Sequence, residues 1–130
     1  MSIPSKQDII RLKTGRARRA LAEASNLIEH NFYHAAVSRL YYACFYATSA
    51  LLCQKDIFVK SHSGVRQMLG MHYISTSQMS LASGQFYSEL FNFRQHADYD
   101  DFADPDPELV KEFLTKATEF VSEAQHILEL

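Results

Sequence analysis

The chain has 130 residues, 47% of them apolar, with four Gly, three Pro and a formal charge of −2. That length and apolar share fit one domain, residues 1–130, with a proper core, and exclude a disordered or low-complexity chain. The near-balanced charge excludes a global field that would draw the protein to nucleic acid or membrane.

Cys44 and Cys53 lie in an apolar run without His or acidic neighbours at ligand spacing. They could form a disulfide, a metal pair or two buried thiols. Buried thiols in a reducing compartment fit best, because free Cys often serves as a small core residue. Met1 to Lys13 has neither the apolar stretch nor the cleavage site of an export signal. Leu40 to Cys53, the longest charge-free apolar stretch, is too short to span a bilayer. The expectation is a cytoplasmic protein with no membrane association and no cofactor.

Apolar spacing predicts helices from end to end. The first starts near Ser5, where Ser5 and Asp8 have capping-box spacing. Ala17, Leu21, Ala24 and Ile28 share one face of it, and Arg11, Lys13, Arg16, Arg18 and Arg19 lie opposite. Asn31 marks a turn. The second helix runs from about Phe32 to Gln54. Val37, Leu40, Cys44, Ala47 and Leu51 form one stripe, and Tyr41, Phe45, Thr48 and Leu52 a second beside it. A helix apolar on most of its surface belongs in the middle of a bundle. Arg39 is its one internal charge and needs a partner or a route to water.

A short third helix is expected from Ser61 or Ser63 to about Met71, then a polar segment from Tyr73 to Ser80. The fourth helix starts between Ser77 and Gly84. Ala82, Phe86, Leu90, Phe93 and Ala97 form one stripe, with Tyr87, Phe91, Arg94 and Asp98 one residue on. Pro105 stops this helix, while Asp106 and Pro107 supply the N-cap and first position of the last. Val110, Phe113, Ala117, Phe120 or Val121, Ala124 and Leu128 line its apolar face. The fold class is all-α, an antiparallel up-and-down bundle of four to five helices.

The stretch from Asn92 to Asp100 carries the chemistry. Arg94 and Asp98 are four apart, so they share a face and can pair. On spacing alone this is either a solvated ion pair or an arginine held in place and aimed at a phosphate, whose oxygens suit the planar guanidinium fork. His96 points to a different side of the helix. Tyr99, at the helix end, could carry a nucleophilic or modifiable hydroxyl. His62 is most simply a capping or polar contact at the start of the third helix. His30 and His34 are four apart but straddle the turn at Asn31, so no metal site is expected. The Arg11 to Arg19 face lacks an aromatic platform and reads as solvated. Asp98 to Glu108 holds six acids and no base, and opposite patches favour pairing with a copy or a partner.

Three segments carry a resemblance. Ser38-Arg39-Leu40-Tyr41-Tyr42-Ala43 through Ala50-Leu51-Leu52, then Lys60-Ser61-His62-Ser63-Gly64-Val65, then Arg94-Gln95-His96-Ala97-Asp98-Tyr99 resemble, in order and spacing, the signature elements of the HEPN family. The resemblance implies a helical bundle that commonly dimerises, with the motif helices of two subunits at a shared cleft. It implies a partnership with a minimal nucleotidyltransferase, which in such pairs can adenylylate a tyrosine close to the motif. Active members are metal-independent ribonucleases using Arg-x(4–6)-His, the arginine on the scissile phosphate and the histidine assisting the 2′-hydroxyl. This sequence departs from that rule, with Tyr99, Asp100 and Asp101 at the three allowed histidine positions. Tyrosine, with a pKa of about 10, is a poor base at neutral pH.

The resemblance therefore assigns Arg94 and Tyr99 as the catalytic candidates, and Arg94, Asp98 and Arg39 as the nucleotide- or phosphate-binding set. The expected function is a dimeric module that binds nucleotide or RNA phosphate and works with a nucleotidyltransferase in a toxin–antitoxin-like system. The rival expectations are a metal-independent ribonuclease toxin, using Tyr99 or His96 in place of the missing histidine, and a structural scaffold.

Overall fold

The structure is a computed structural model that describes residues 3–99 and 104–130, with the side chains of all but 97–99. Among the described residues every regular element is a helix. The elements are α1 (Lys6–Glu29), α2 (Tyr33–Gln54), α3 (His62–Leu69) with a π-helical turn at Gly70–Ile74, α4 (Leu81–Tyr99) and α5 (Pro107–Ile127).

Local chemistry sets the helix starts. The Ser5 hydroxyl accepts from the Asp8 amide at 3.1 Å, and the Asp8 carboxylate accepts from the Ser5 amide at 3.0 Å. The capping box forms with Asp in the usual Glu position. These bonds, to the Ser5 amide first, hold the Asp8 carboxyl below its ordinary range. Asn31 reverses the chain with φ at 64°, a left-handed conformation that Asn tolerates. Asp106 caps α5 by accepting from the Glu108 amide at 3.1 Å, with Pro107 in the first turn.

The α1–α2 hairpin is antiparallel. Lys6, at the start of α1, pairs with Asp56 just past the end of α2 at 3.2 Å, and Glu23 pairs with Arg39 near the start of α2 at 3.7 Å. α2 packs against α1, α3, α4 and α5. Both of its apolar stripes are buried apart from half-buried Phe45. Ala36, Ala43, Ala47 and Ala50 are also fully covered, and their small side chains let neighbouring helices come close. Cys44 and Cys53 are buried free thiols, and burial pushes the Cys44 thiol far up. Among the described residues no helix is long and apolar enough to cross a membrane.

The polar segment expected from Tyr73 to Ser80 is corrected in part. The third helix continues into the π turn, closed by the Ser75 amide donating to the Gly70 carbonyl at 2.9 Å. Tyr73 and Met79 are core residues. The Tyr73 hydroxyl donates to the Leu51 carbonyl, and burial pushes it up to about 12. Lys55 lies 4.2 Å from the Tyr73 ring centroid and donates to the His72 carbonyl at 2.6 Å. A buried aromatic anchor and a cation thus hold a stretch whose composition is that of a loop. α4 crosses this turn closely: a Cβ on Gly84 would meet Ile74 Cγ1 at 2.9 Å. That contact explains a glycine within a helix. On α4, Phe86 and Leu90 are buried as expected, whereas Ala82 is exposed.

Glu123 of α5 locks the start of α4. Its carboxylate accepts from the Ser80 amide at 2.9 Å and from the Ser80 and Ser83 hydroxyls. Burial raises its pKa, but the Ser83 and Ser80 bonds outweigh burial and hold it below the ordinary 4.5. A carboxyl with a depressed folded pKa stabilises fully above its unfolded pKa and loses that contribution as pH falls. Glu123→Gln is expected to lower stability by about 1 kcal/mol at pH 7. The difference from wild type should shrink below pH 4.5 in urea unfolding followed by circular dichroism.

Candidate functional site

The site forms where α2, α3 and α4 meet. α2 supplies Tyr41 and Tyr42, whose rings meet edge to face with centroids 5.5 Å apart, and Phe45 one turn on. Tyr41 is buried with 1% of its surface exposed, and Tyr42 and Phe45 are half-buried.

Arg94 comes from α4. Its guanidinium carbon lies 4.9 Å from the Tyr41 centroid and 5.1 Å from that of Tyr42. A planar, weakly hydrated guanidinium suits this placement, because the ring faces attract it as it sheds water. One terminal nitrogen donates to the Tyr42 hydroxyl at 3.4 Å. Nε is buried without a hydrogen-bond partner among the described residues. Arg39 lies 5.1 Å from the Tyr42 centroid and also pairs with Glu23 of α1. Tyr42 therefore draws together both arginines of the predicted phosphate-binding set.

His62 is the first residue of α3. Ser61 before it caps the helix by accepting from the Gly64 amide at 3.0 Å. Its ring lies 4.8 Å from Phe45, 5.6 Å from Tyr41 and 5.9 Å from Tyr42, centroid to centroid. The Tyr41 hydroxyl and His62 Nδ1 share a hydrogen bond of 2.8 Å, the donor depending on the tautomer. Burial, followed by the positive Arg94, pushes the His62 pKa down, so the ring is neutral at neutral pH. Burial likewise raises the Tyr41 pKa and keeps its hydroxyl protonated. The result is a cation and a neutral imidazole on one aromatic pair. Tyr42, Phe45 and Tyr46 leave partly exposed ring surface beside them.

The HEPN domain family model matches residues 11–127 of this chain. The chain belongs to the HEPN domain family. A Thermotoga maritima protein named for the family UPF0332 is 34% identical over 124 residues, 95% of this chain and 94% of its own. Two Methanocaldococcus jannaschii proteins are named as candidate toxins. One is 41% identical over 85 residues, 65% of this chain and 58% of its own. The other is 35% identical over 83 residues, 64% of this chain and 62% of its own. This chain thus spans less than two thirds of the length of each.

The HEPN motif residues divide as follows. Arg94 and Arg39 converge on Tyr42, as described. The Asp98 and Tyr99 side chains lie outside the described residues, as do residues 100–103 of the acidic run. His96 is exposed. Among the described residues no group of three or more His, Cys, Asp or Glu could hold a metal ion.

His62 was legible in the sequence only as a polar or capping residue. The signal that could have promoted it was its place in the second HEPN-like segment, next to the signature helix. Its partner Tyr41 is 21 positions away, and no local spacing links them.

Two predictions test this geometry. Arg94→Gln should raise the His62 pKa toward 6.5, with burial still holding it below, in an NMR titration of the ring. A Cβ on Gly64 would meet Val59 Cγ1 and, at 2.6 Å, the capping Ser61 Oγ. Gly64→Ala should therefore cost about 1–2 kcal/mol in urea unfolding, although Ala is the better helix former.

Proposed function

We propose that this HEPN protein is a toxin-like module that acts as a homodimer with a nucleotidyltransferase partner and binds nucleotide or RNA phosphate at Arg94. The observation that carries the reading is the state of Arg94, a guanidinium seated on two tyrosine faces with Nε left without a hydrogen bond among the described residues. A buried donor without a partner is costly, and such costs are concentrated at functional sites. A phosphate against the half-buried Arg94 would meet its guanidinium charge, and Arg39 across Tyr42 adds a second. The half-exposed Tyr42, Phe45 and Tyr46 rings add surfaces on which unpaired bases can stack. The names of the two M. jannaschii relatives favour the toxin-like role.

Binding of a fluorescent single-stranded RNA, followed by anisotropy in EDTA, tests the reading. Wild type should bind, with affinity falling as salt rises. Arg94→Ala should weaken binding roughly tenfold or more, the loss of one charge-assisted contact. Sedimentation equilibrium should show a dimer at micromolar concentration. A monomer that binds neither RNA nor nucleotide would end the proposal. A ribonuclease is the second reading, favoured by the imidazole that the fold brings to Arg94.

A further inference from the structure

At the three positions where the HEPN motif allows histidine stand Tyr99, Asp100 and Asp101. His96 precedes those positions and is exposed. The fold brings a different imidazole to Arg94. His62 and Arg94 contact the same two rings, Tyr41 and Tyr42. Tyr41 is buried, and its hydroxyl holds His62 Nδ1 at 2.8 Å. Phe45, at 4.8 Å, packs against the imidazole. A base whose second nitrogen is tied to a fixed group is oriented for proton transfer through the first. With Nδ1 engaged, that nitrogen is Nε2.

We infer that His62 is the proton acceptor in a metal-independent cleavage of RNA whose scissile phosphate rests on Arg94. This inference depends on the reading that Arg94 binds RNA phosphate. The ribose 2′-oxygen bonds to the adjacent phosphorus as its proton passes to His62 Nε2. The bond from phosphorus to the 5′-oxygen breaks, and that oxygen takes a proton from water. The products are a 2′,3′-cyclic phosphate and a 5′-hydroxyl, and His62 returns its proton to solvent. Arg94 balances the negative charge that grows on the phosphate oxygens. The same positive charge disfavours imidazolium, so His62 has a free lone pair at neutral pH. In the tautomer with hydrogen on Nδ1, the Tyr41 oxygen accepts that hydrogen and the lone pair is on Nε2.

The test uses a DNA oligonucleotide with one ribose, end-labelled, in EDTA. Cleavage and binding are measured side by side for wild type, His62→Gln, Arg94→Ala and Tyr41→Phe. Wild type should cut only after the ribose and leave a cyclic phosphate end. His62→Gln should bind equally well but cleave roughly a hundredfold more slowly, the usual effect of losing a general base. Arg94→Ala should weaken binding roughly tenfold or more and abolish cleavage. The wild-type rate should rise with pH and level off with a midpoint below 6.5, as the lowered His62 pKa requires. Tyr41→Phe keeps the imidazole, so it should keep part of the activity and move that midpoint. It also serves as the second variant if His62→Gln fails to fold. Wild type that binds without cutting, or His62→Gln that cuts at the wild-type rate, would overturn the role of His62 and leave phosphate binding at Arg94 standing. Wild type that does not bind would overturn both.

Discussion

The encirclement of α2 is the constraint on which the rest of the structure depends. This helix is apolar on most of its circumference, so no single partner can cover it. α1, α3, α4 and α5 all pack on it, and Leu40, Cys44 and Leu51 have no exposed surface. Burial of each such side chain is worth about 1.5–3 kcal/mol, which makes the surrounding arrangement the favourable one. Small residues keep the packed helices close. The only charge inside α2 is Arg39, and it reaches Glu23 at the margin of the α1 contact. Ten of the 22 residues of α2 stay partly uncovered, and Tyr42, Phe45 and Tyr46 are the large aromatic ones that face this site. The bundle thus presents its candidate site on the same helix that organises its core.

At that surface, desolvation and like-charge repulsion act together. Arg94 gives up water to lie on Tyr41 and Tyr42, which a guanidinium can do at lower cost than an ammonium. Its positive charge then acts on His62 across shared rings, and burial pushes the imidazole in the same direction. The outcome is a charged guanidinium and a neutral imidazole on the same rings. A titratable group held in its proton-accepting form by burial and a neighbouring charge is a candidate for acid–base chemistry. Tyr41 joins this surface to the core, because its ring is buried against Tyr87 and Phe91 while its hydroxyl reaches His62.

The helices, the starts of α1, α2 and α5 and most of the buried faces were legible in the sequence, whereas the start of α4 was only bracketed. Ser5 and Asp106 act through bonds to residues two or three positions away and Pro107 through its own fixed φ, so their roles follow from local sequence. The faces of α1, α2 and α5 follow from helical periodicity for the same reason. Tyr73 was not legible as core, because its anchors, the Leu51 carbonyl and Lys55, are distant in the chain, and Met79 is tied in through its amide bond to the Tyr73 carbonyl. The glycine at position 84 had no visible cause until Ile74 was found against it.

For the site, the sequence by itself determined the helical bundle, the HEPN signature, the candidacy of Arg94 and Arg39, and the lack of histidine where the motif allows it. Periodicity, capping and motif order are short-range properties, and the chain carries them explicitly. Only the tertiary structure decided that Tyr42 joins Arg39 to Arg94, that Nε of Arg94 is buried without a hydrogen bond among the described residues, and that His62 belongs with them. Those facts depend on distances between α2, α3 and α4. Such distances arise from how apolar faces dock, and a linear pattern of residues does not encode the neighbours that docking creates.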